Sequence, residues 1–123
     1  VGRTVRQRAP HARVLFVDYL TLLPPPGVSA APLSDVDAAL GRRVADTLER
    51  LTGEAAAETG CGWVRAAQAS RGHHAWSADP WTTKFGLPLP GRPAPLHPNA
   101  AGMHAVAELV GAEASGHPAK GGQ

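Results

Sequence analysis

Cysteine is almost missing from this sequence: Cys61 is the single one in 123 residues. That excludes a disulfide framework and any zinc site built from thiolates. Aromatic residues are scarce, at 5%. No run of about 18 apolar residues occurs, so nothing in the sequence spans a membrane as a helix. The opening stretch, Val1 to Arg8, lacks an apolar core and an initiating Met, so it is not a signal peptide and reads as the middle of a longer polypeptide. One-sided charge is absent too. The net charge is +2, and although Arg3, Arg6, Arg8 and Arg13 cluster near the start, acids answer the bases further on. No aromatic reading motif accompanies the arginines, so a nucleic-acid partner is not expected.

What is present is a globular composition, 43% hydrophobic and 18% charged, in a length that allows one domain. Arginine far outnumbers lysine and alanine is abundant, a bias without functional content. Val1 to Arg8 reads as helix, broken at Pro10. Ala12 to Leu20 is a continuous β-branched and aromatic run. Continuous rather than alternating apolarity predicts a strand covered on both faces, as in a parallel sheet. The run ends in Leu22-Leu23-Pro24-Pro25-Pro26-Gly27, which cannot continue a sheet.

Ser34 to Thr59 carries the clearest helical signal. Ser34 is a good N-cap, Asp35 and Asp37 suit the first turn, and Gly60 is a natural stop. Val36, Leu40, Val44, Leu48, Leu51 and Ala55 form an apolar stripe, the expected buried face. Arg42, Arg43, Asp46, Glu49 and Arg50 lie off it and are expected in solvent. Gly62 to Ala67 follows as a short strand. Strand, helix, strand gives a βαβ crossover, right-handed by general rule.

Residues 68–98 show no periodicity. This segment holds six of the twelve prolines and three of the six histidines. A loop of that length in a compact domain is usually functional when ordered. Asn99 can cap a last helix from Ala100 to about Glu113, with Met103, Val106, Ala107 and Val110 on its apolar side. The domain therefore covers 1–113, and 114–123 reads as a polar tail.

Two features can carry chemistry. His97 sits between the long loop and a capped helix, and Pro98 restricts its backbone. That arrangement holds an imidazole at a set position on a sheet rim, as a general base requires. The competing reading is an ordinary surface histidine. Gly72-His73-His74 with Asp79-Pro80-Trp81 is the second feature. Trp76 and Trp81 either line a substrate pocket or pin the loop by packing. A zinc site from His73, His74, His97 and His104 is disfavoured, because adjacent histidines diverge and no carboxylate stands at helical spacing. Cys61 is expected to be inert, and Asp18 to make a structural hydrogen bond.

Pro10-His11-Ala12-Arg13-Val14-Leu15-Phe16-Val17-Asp18-Tyr19-Leu20, Gly72-His73, Asp79-Pro80-Trp81 and His97-Pro98-Asn99-Ala100-Ala101-Gly102 occur in an order that resembles the GDSL/SGNH hydrolases, most closely the actinobacterial secreted esterase and lipase branch. The resemblance covers about residues 1–113. It implies a three-layer α/β/α sandwich with parallel strands, of which this chain would be the C-terminal half. It implies hydrolysis of a small-molecule or lipid ester through a serine, with His97 as the base. The oxyanion hole would use the serine's own N–H, a glycine N–H and an asparagine side chain. No metal or cofactor is implied, and localisation would be extracellular. Three departures stand out. The Gly-Asp-Ser nucleophile motif and the oxyanion glycine and asparagine blocks are absent, so they would belong to a missing N-terminal half of the same protein. The Asp that many members place three residues before the histidine is Ala94 here, whose backbone carbonyl would orient the imidazole, with Asp79 as an alternative orienter. Cysteines of the secreted members are missing, Trp76 standing near one such position. The alternative is a truncated, catalytically inactive hydrolase fold that serves as a binding or interaction module.

Overall fold

A computed structural model describes residues 1–116. The order is α1 (Gly2–Arg8), β1 (Leu15–Val17), α2 (Asp35–Thr59), β2 (Gly62–Val64), α3 (Ala66–Ala69) and α4 (Ala100–Ala114). The chain is mixed α/β: β1 and β2 pair in parallel, with Leu15, Phe16 and Val17 opposite Gly62, Trp63 and Val64. Among the described residues no helix is long and apolar enough to cross a membrane. Of the polar tail, Ala114 belongs to α4 and Ser115–Gly116 to a turn; the remainder lies outside the described residues.

Local signals set α2. The Ser34 hydroxyl accepts from the Asp37 N–H at 3.1 Å, and Gly60 ends the helix in the left-handed conformation with φ 63°. Arg6 of α1 donates to the carbonyls of Thr59 and Gly60 at 2.8 and 2.9 Å, placing a cation on the helix C-terminus where the dipole favours it. Arg13 does the same for α4 through the Ala114 carbonyl at 3.1 Å. Two of the four early arginines thus have structural work.

Side-chain alternation places the layers. Phe16 and its cross-strand partner Trp63 lie on the side of α1 and α2: a Cβ on Gly2 would meet Thr59 and Phe16, and one on Gly53 would meet Trp63. Leu15 and Gly62 lie on the other side, where Glu113 of α4 approaches.

The structure corrects the expected buried face of α2. Val36 is 77% exposed and Leu48 57%, and Leu40, Val44 and Leu51 are also exposed. The covered face is instead Ala38, Gly41, Thr52, Gly53 and Ala56, small side chains that admit Leu23 and the Trp63 indole. Arg42 and Glu49, expected in solvent, lie within this face, between Gly53 and Ala56 around the helix, and are half-buried. Arg42 donates to the Pro24 carbonyl at 2.7 Å and Glu49 pairs with Arg71 at 3.4 Å. At 3.6 residues per turn, the helix surface runs from Gly53 beside β2, through Ala56, to Gly41 and Thr59 beside the β1 side. Leu48, Val44, Leu51 and Leu40 come next around, so the apolar stripe overhangs the β1 flank.

Both strands are shorter than expected. β1 spans three residues of the apolar run, and Val17 is 43% exposed rather than covered. Gly62 N–H donates to the Val14 carbonyl and Asp18 N–H to that of Val64. In a parallel ladder this turns the peptide groups of Leu15 and Val17 toward the opposite edge, where they have no partner among the described residues. The open strand edge and the exposed stripe therefore share one flank. After Val64 the chain turns into α3 instead of continuing as strand to Ala67.

Candidate functional site

The two sequence features meet at the start of α4. Asn99 caps this helix by accepting from the Gly102 N–H at 2.9 Å. Its amide Nδ2 donates to the Pro80 carbonyl at 2.6 Å, and its backbone N–H to the Trp81 carbonyl at 3.0 Å. A Cβ at Gly102 would fall on the Trp81 carbonyl oxygen, so only glycine allows this approach. Thr82, 1% exposed, bridges to Pro98. Asp79-Pro80-Trp81 is therefore the floor on which His97-Pro98-Asn99 rests.

Thr83 fixes the backbone around His97. Its N–H donates to the His97 carbonyl at 2.8 Å, and its hydroxyl accepts from the His97 N–H at 3.2 Å. The same hydroxyl donates to the Ala94 carbonyl at 2.6 Å. Leu96 N–H returns to the Thr83 carbonyl at 3.3 Å. Leu96 itself has φ 61°, a left-handed conformation unusual for a branched residue and of the kind that concentrates at functional sites. The Tyr19 hydroxyl donates to the Leu96 carbonyl at 3.4 Å. Tyr19 lies two residues past the end of β1, so the turn carrying His97 stands at the carboxyl rim of the strands, where α/β proteins gather their sites.

The imidazole of His97 is exposed, with Nδ1 3.1 Å from the Pro95 carbonyl oxygen. A carbonyl only accepts, so Nδ1 carries the hydrogen and Nε2 of the neutral ring presents its lone pair outward. Nε2 has no partner among the described residues. This corrects the expected orienter: the Ala94 carbonyl is occupied by Thr83, and the left-handed Leu96 brings the Pro95 carbonyl to Nδ1 instead. The other candidate, Asp79, faces away to His73, whose Nδ1 lies 2.8 Å from the Asp79 carbonyl and 3.4 Å from its carboxylate.

Both indoles hold the loop. Trp81 stacks on His73 with centroids 4.2 Å apart and planes 7° from parallel. Trp76 donates through Nε1 to the Ala31 carbonyl at 2.8 Å and stacks on Phe85 at 6.0 Å. His74 accepts from the Trp76 N–H at 3.3 Å, and its burial pushes the imidazole pKa down. Asp18 is buried and structural, accepting from Trp63 Nε1 at 3.0 Å and the Ala67 N–H at 2.8 Å. His104 pairs with Glu108 on the exposed side of α4, and Cys61 lies 3.2 Å from the Thr59 hydroxyl. No cluster of three or more His, Cys, Asp or Glu that could hold a metal occurs among the described residues.

The roles of Thr83, Tyr19 and the Pro95 carbonyl escaped sequence reasoning. Tyr19 had a signal, in its place just past the strand; the other two depend on a backbone turn at Leu96 that no residue type announces. Chemically, the arrangement offers one positioned, outward-facing basic nitrogen. Comparison with protein-family models and with curated proteins yields no match for this chain.

Proposed function

We propose that these residues form the histidine-bearing portion of a serine ester hydrolase of the GDSL/SGNH type, a three-layer α/β/α sandwich whose other strands and helices lie outside this sequence. The observation that carries the reading is His97: a rim imidazole with Nδ1 held by a backbone carbonyl and Nε2 directed outward. In this reading Nε2 takes the proton of a serine hydroxyl as its oxygen attacks the ester carbonyl. The same proton then passes to the leaving alcohol as the tetrahedral intermediate collapses. The Pro95 carbonyl accepts from Nδ1–H throughout and holds the ring in place. The nucleophile, the oxyanion-hole glycine and the oxyanion-hole asparagine come from the remainder of the protein. Trp76 and Trp81 enter as candidate walls of a pocket for a small-molecule or lipid ester, and the enzyme is exported.

The open edge of β1 and the stripe overhanging it support the incomplete-sandwich part of this reading. Both need cover, and a further parallel strand followed by its helix covers both at once. The test is kinetic. In the full-length protein, His97→Ala lowers kcat for a nitrophenyl ester by several orders of magnitude, as loss of the base does in a Ser-His unit. Turnover close to that of the unaltered enzyme ends the assignment.

One observation favours the second reading, a non-catalytic module, for these residues taken alone. Ser34 caps α2, Ser70 is buried against the Ala66 carbonyl, Ser77 donates to the His74 carbonyl and Ser29 accepts from the Ala31 N–H. Ser115, the fifth serine, ends α4 and donates to the Gly111 carbonyl, and none of the five stands in a nucleophile turn. Failure of the full-length protein to react with a serine-directed fluorophosphonate would select that reading.

A further inference from the structure

The segment from Lys84 to Ala94 is a surface loop tied shut at its base. Thr83 N–H to the His97 carbonyl, Leu96 N–H to the Thr83 carbonyl and Thr83 hydroxyl to the Ala94 carbonyl bring its ends together. Every residue of it is exposed. Its apolar side chains stand outward all the same: Leu87 is 86% exposed and Leu89 50%, with Phe85 at the base against Trp76. Lys84 and Arg92 flank them, and no acidic residue occurs between Asp79 and Glu108. Pro88, Pro90 and Pro93 remove three backbone N–H donors and stiffen the chain. A loop entering a lipid interface must leave hydration of its peptide groups behind, so fewer donors lower the cost.

We propose that this loop docks on an anionic lipid surface. Leu87 and Leu89 enter the boundary between headgroups and acyl chains, and Lys84 and Arg92 contact the phosphates. The Thr83 hydrogen bonds join the loop base to the His97 backbone, so docking sets the imidazole beside the interface. On the hydrolase reading, and resting on it, the ester presented to His97 is then that of a lipid. Lipid docking itself requires no nucleophile.

The experiment is co-sedimentation of the full-length protein with vesicles of equal parts phosphatidylcholine and phosphatidylglycerol, and with vesicles of phosphatidylcholine alone. The chain binds the anionic vesicles more tightly, and added salt weakens that binding. Leu87→Ser with Leu89→Ser lowers partitioning about tenfold or more. Lys84→Gln and Arg92→Gln each lower it about fivefold on anionic vesicles alone. All four positions are exposed, so these variants keep the fold, which circular dichroism checks. The control is Val28→Ser, at an exposed apolar side chain outside both this loop and the α2 stripe, which leaves partitioning unchanged. Absence of binding to anionic vesicles overturns the proposal, as does retention of binding in the Leu87→Ser, Leu89→Ser variant. Neither result bears on ester hydrolysis, which the kinetics of His97→Ala judge separately.

Discussion

Replacing Gly102 by alanine sets helix propensity against tertiary packing. Propensity alone favours alanine inside a helix by about 1 kcal/mol. At Gly102 the added methyl would fall on the carbonyl oxygen of Trp81, with the carbonyl carbon at 3.0 Å and the Trp81 Cβ at 3.1 Å. These are mostly backbone atoms, so no side-chain rotation relieves the clash. Either α4 or the Asp79-Pro80-Trp81 segment must retreat. Overpacking of this kind costs about 1–3 kcal/mol. The retreat also stretches the bonds from Asn99 to Pro80 and Trp81, and a weakened cap adds about 1 kcal/mol. Subtracting the propensity gain leaves a net destabilisation of about 1–3 kcal/mol. Urea unfolding of this chain measures it as a lower midpoint at unchanged slope. Gly111→Ala in the same helix is the control: nothing lies within 4 Å of the added methyl, so it stabilises by up to about 1 kcal/mol. A Gly102→Ala chain as stable as Gly111→Ala would refute the docking of α4 on that segment.

Asn99→Ala removes the cap on α4 and the anchor to Pro80 together, and costs about 1–2 kcal/mol in the same urea assay. Asp18→Asn turns an acceptor-only group into one whose NH2 faces a donor, either Trp63 Nε1 or the Ala67 N–H, and costs about 2–3 kcal/mol by thermal or urea unfolding. Arg6→Ala frees the last carbonyls of α2, but at an exposed position, so the loss stays under about 1 kcal/mol. Burial lowers the His74 pKa in the folded chain. The unfolded chain therefore binds a proton first, and this residue's contribution is present above the ordinary imidazole value of about 6.5 and lost as pH falls below it. A His74→Gln chain shows a smaller drop in thermal midpoint between neutral and mildly acidic pH, and an unchanged drop contradicts the half-buried placement of this ring.

Local signals were legible in the sequence and long-range ones were not. Ser34 and Gly60 mark the ends of α2 because capping and left-handed φ are properties of a few adjacent atoms. Asn99 announces α4 for the same reason. The face that α2 buries was misread, because a periodic apolar stripe reports that a helix has an apolar side, not that these residues supply its cover. The face in contact is read instead from shape: Gly41 and Gly53 leave room for Leu23 and Trp63. The strand run from Ala12 to Leu20 promised more pairing than occurs, since β2 offers three residues before Val64 leads into α3. At the site, His97, Asn99 and the Asp79-Pro80-Trp81 segment were legible as separate pieces. That they touch, and that Pro95 rather than Ala94 faces the imidazole, follows from the backbone turn at Leu96.

The most direct measurement of the central claim is the tautomer of the neutral His97 ring, read from long-range nitrogen–proton correlations in labelled protein. A carbonyl at 3.1 Å from Nδ1 predicts the hydrogen on Nδ1 and a bare, basic Nε2, the nitrogen that would accept the serine proton. A hydrogen found on Nε2 instead would mean that Pro95 does not hold the ring, and that His97 is not set to act as a base.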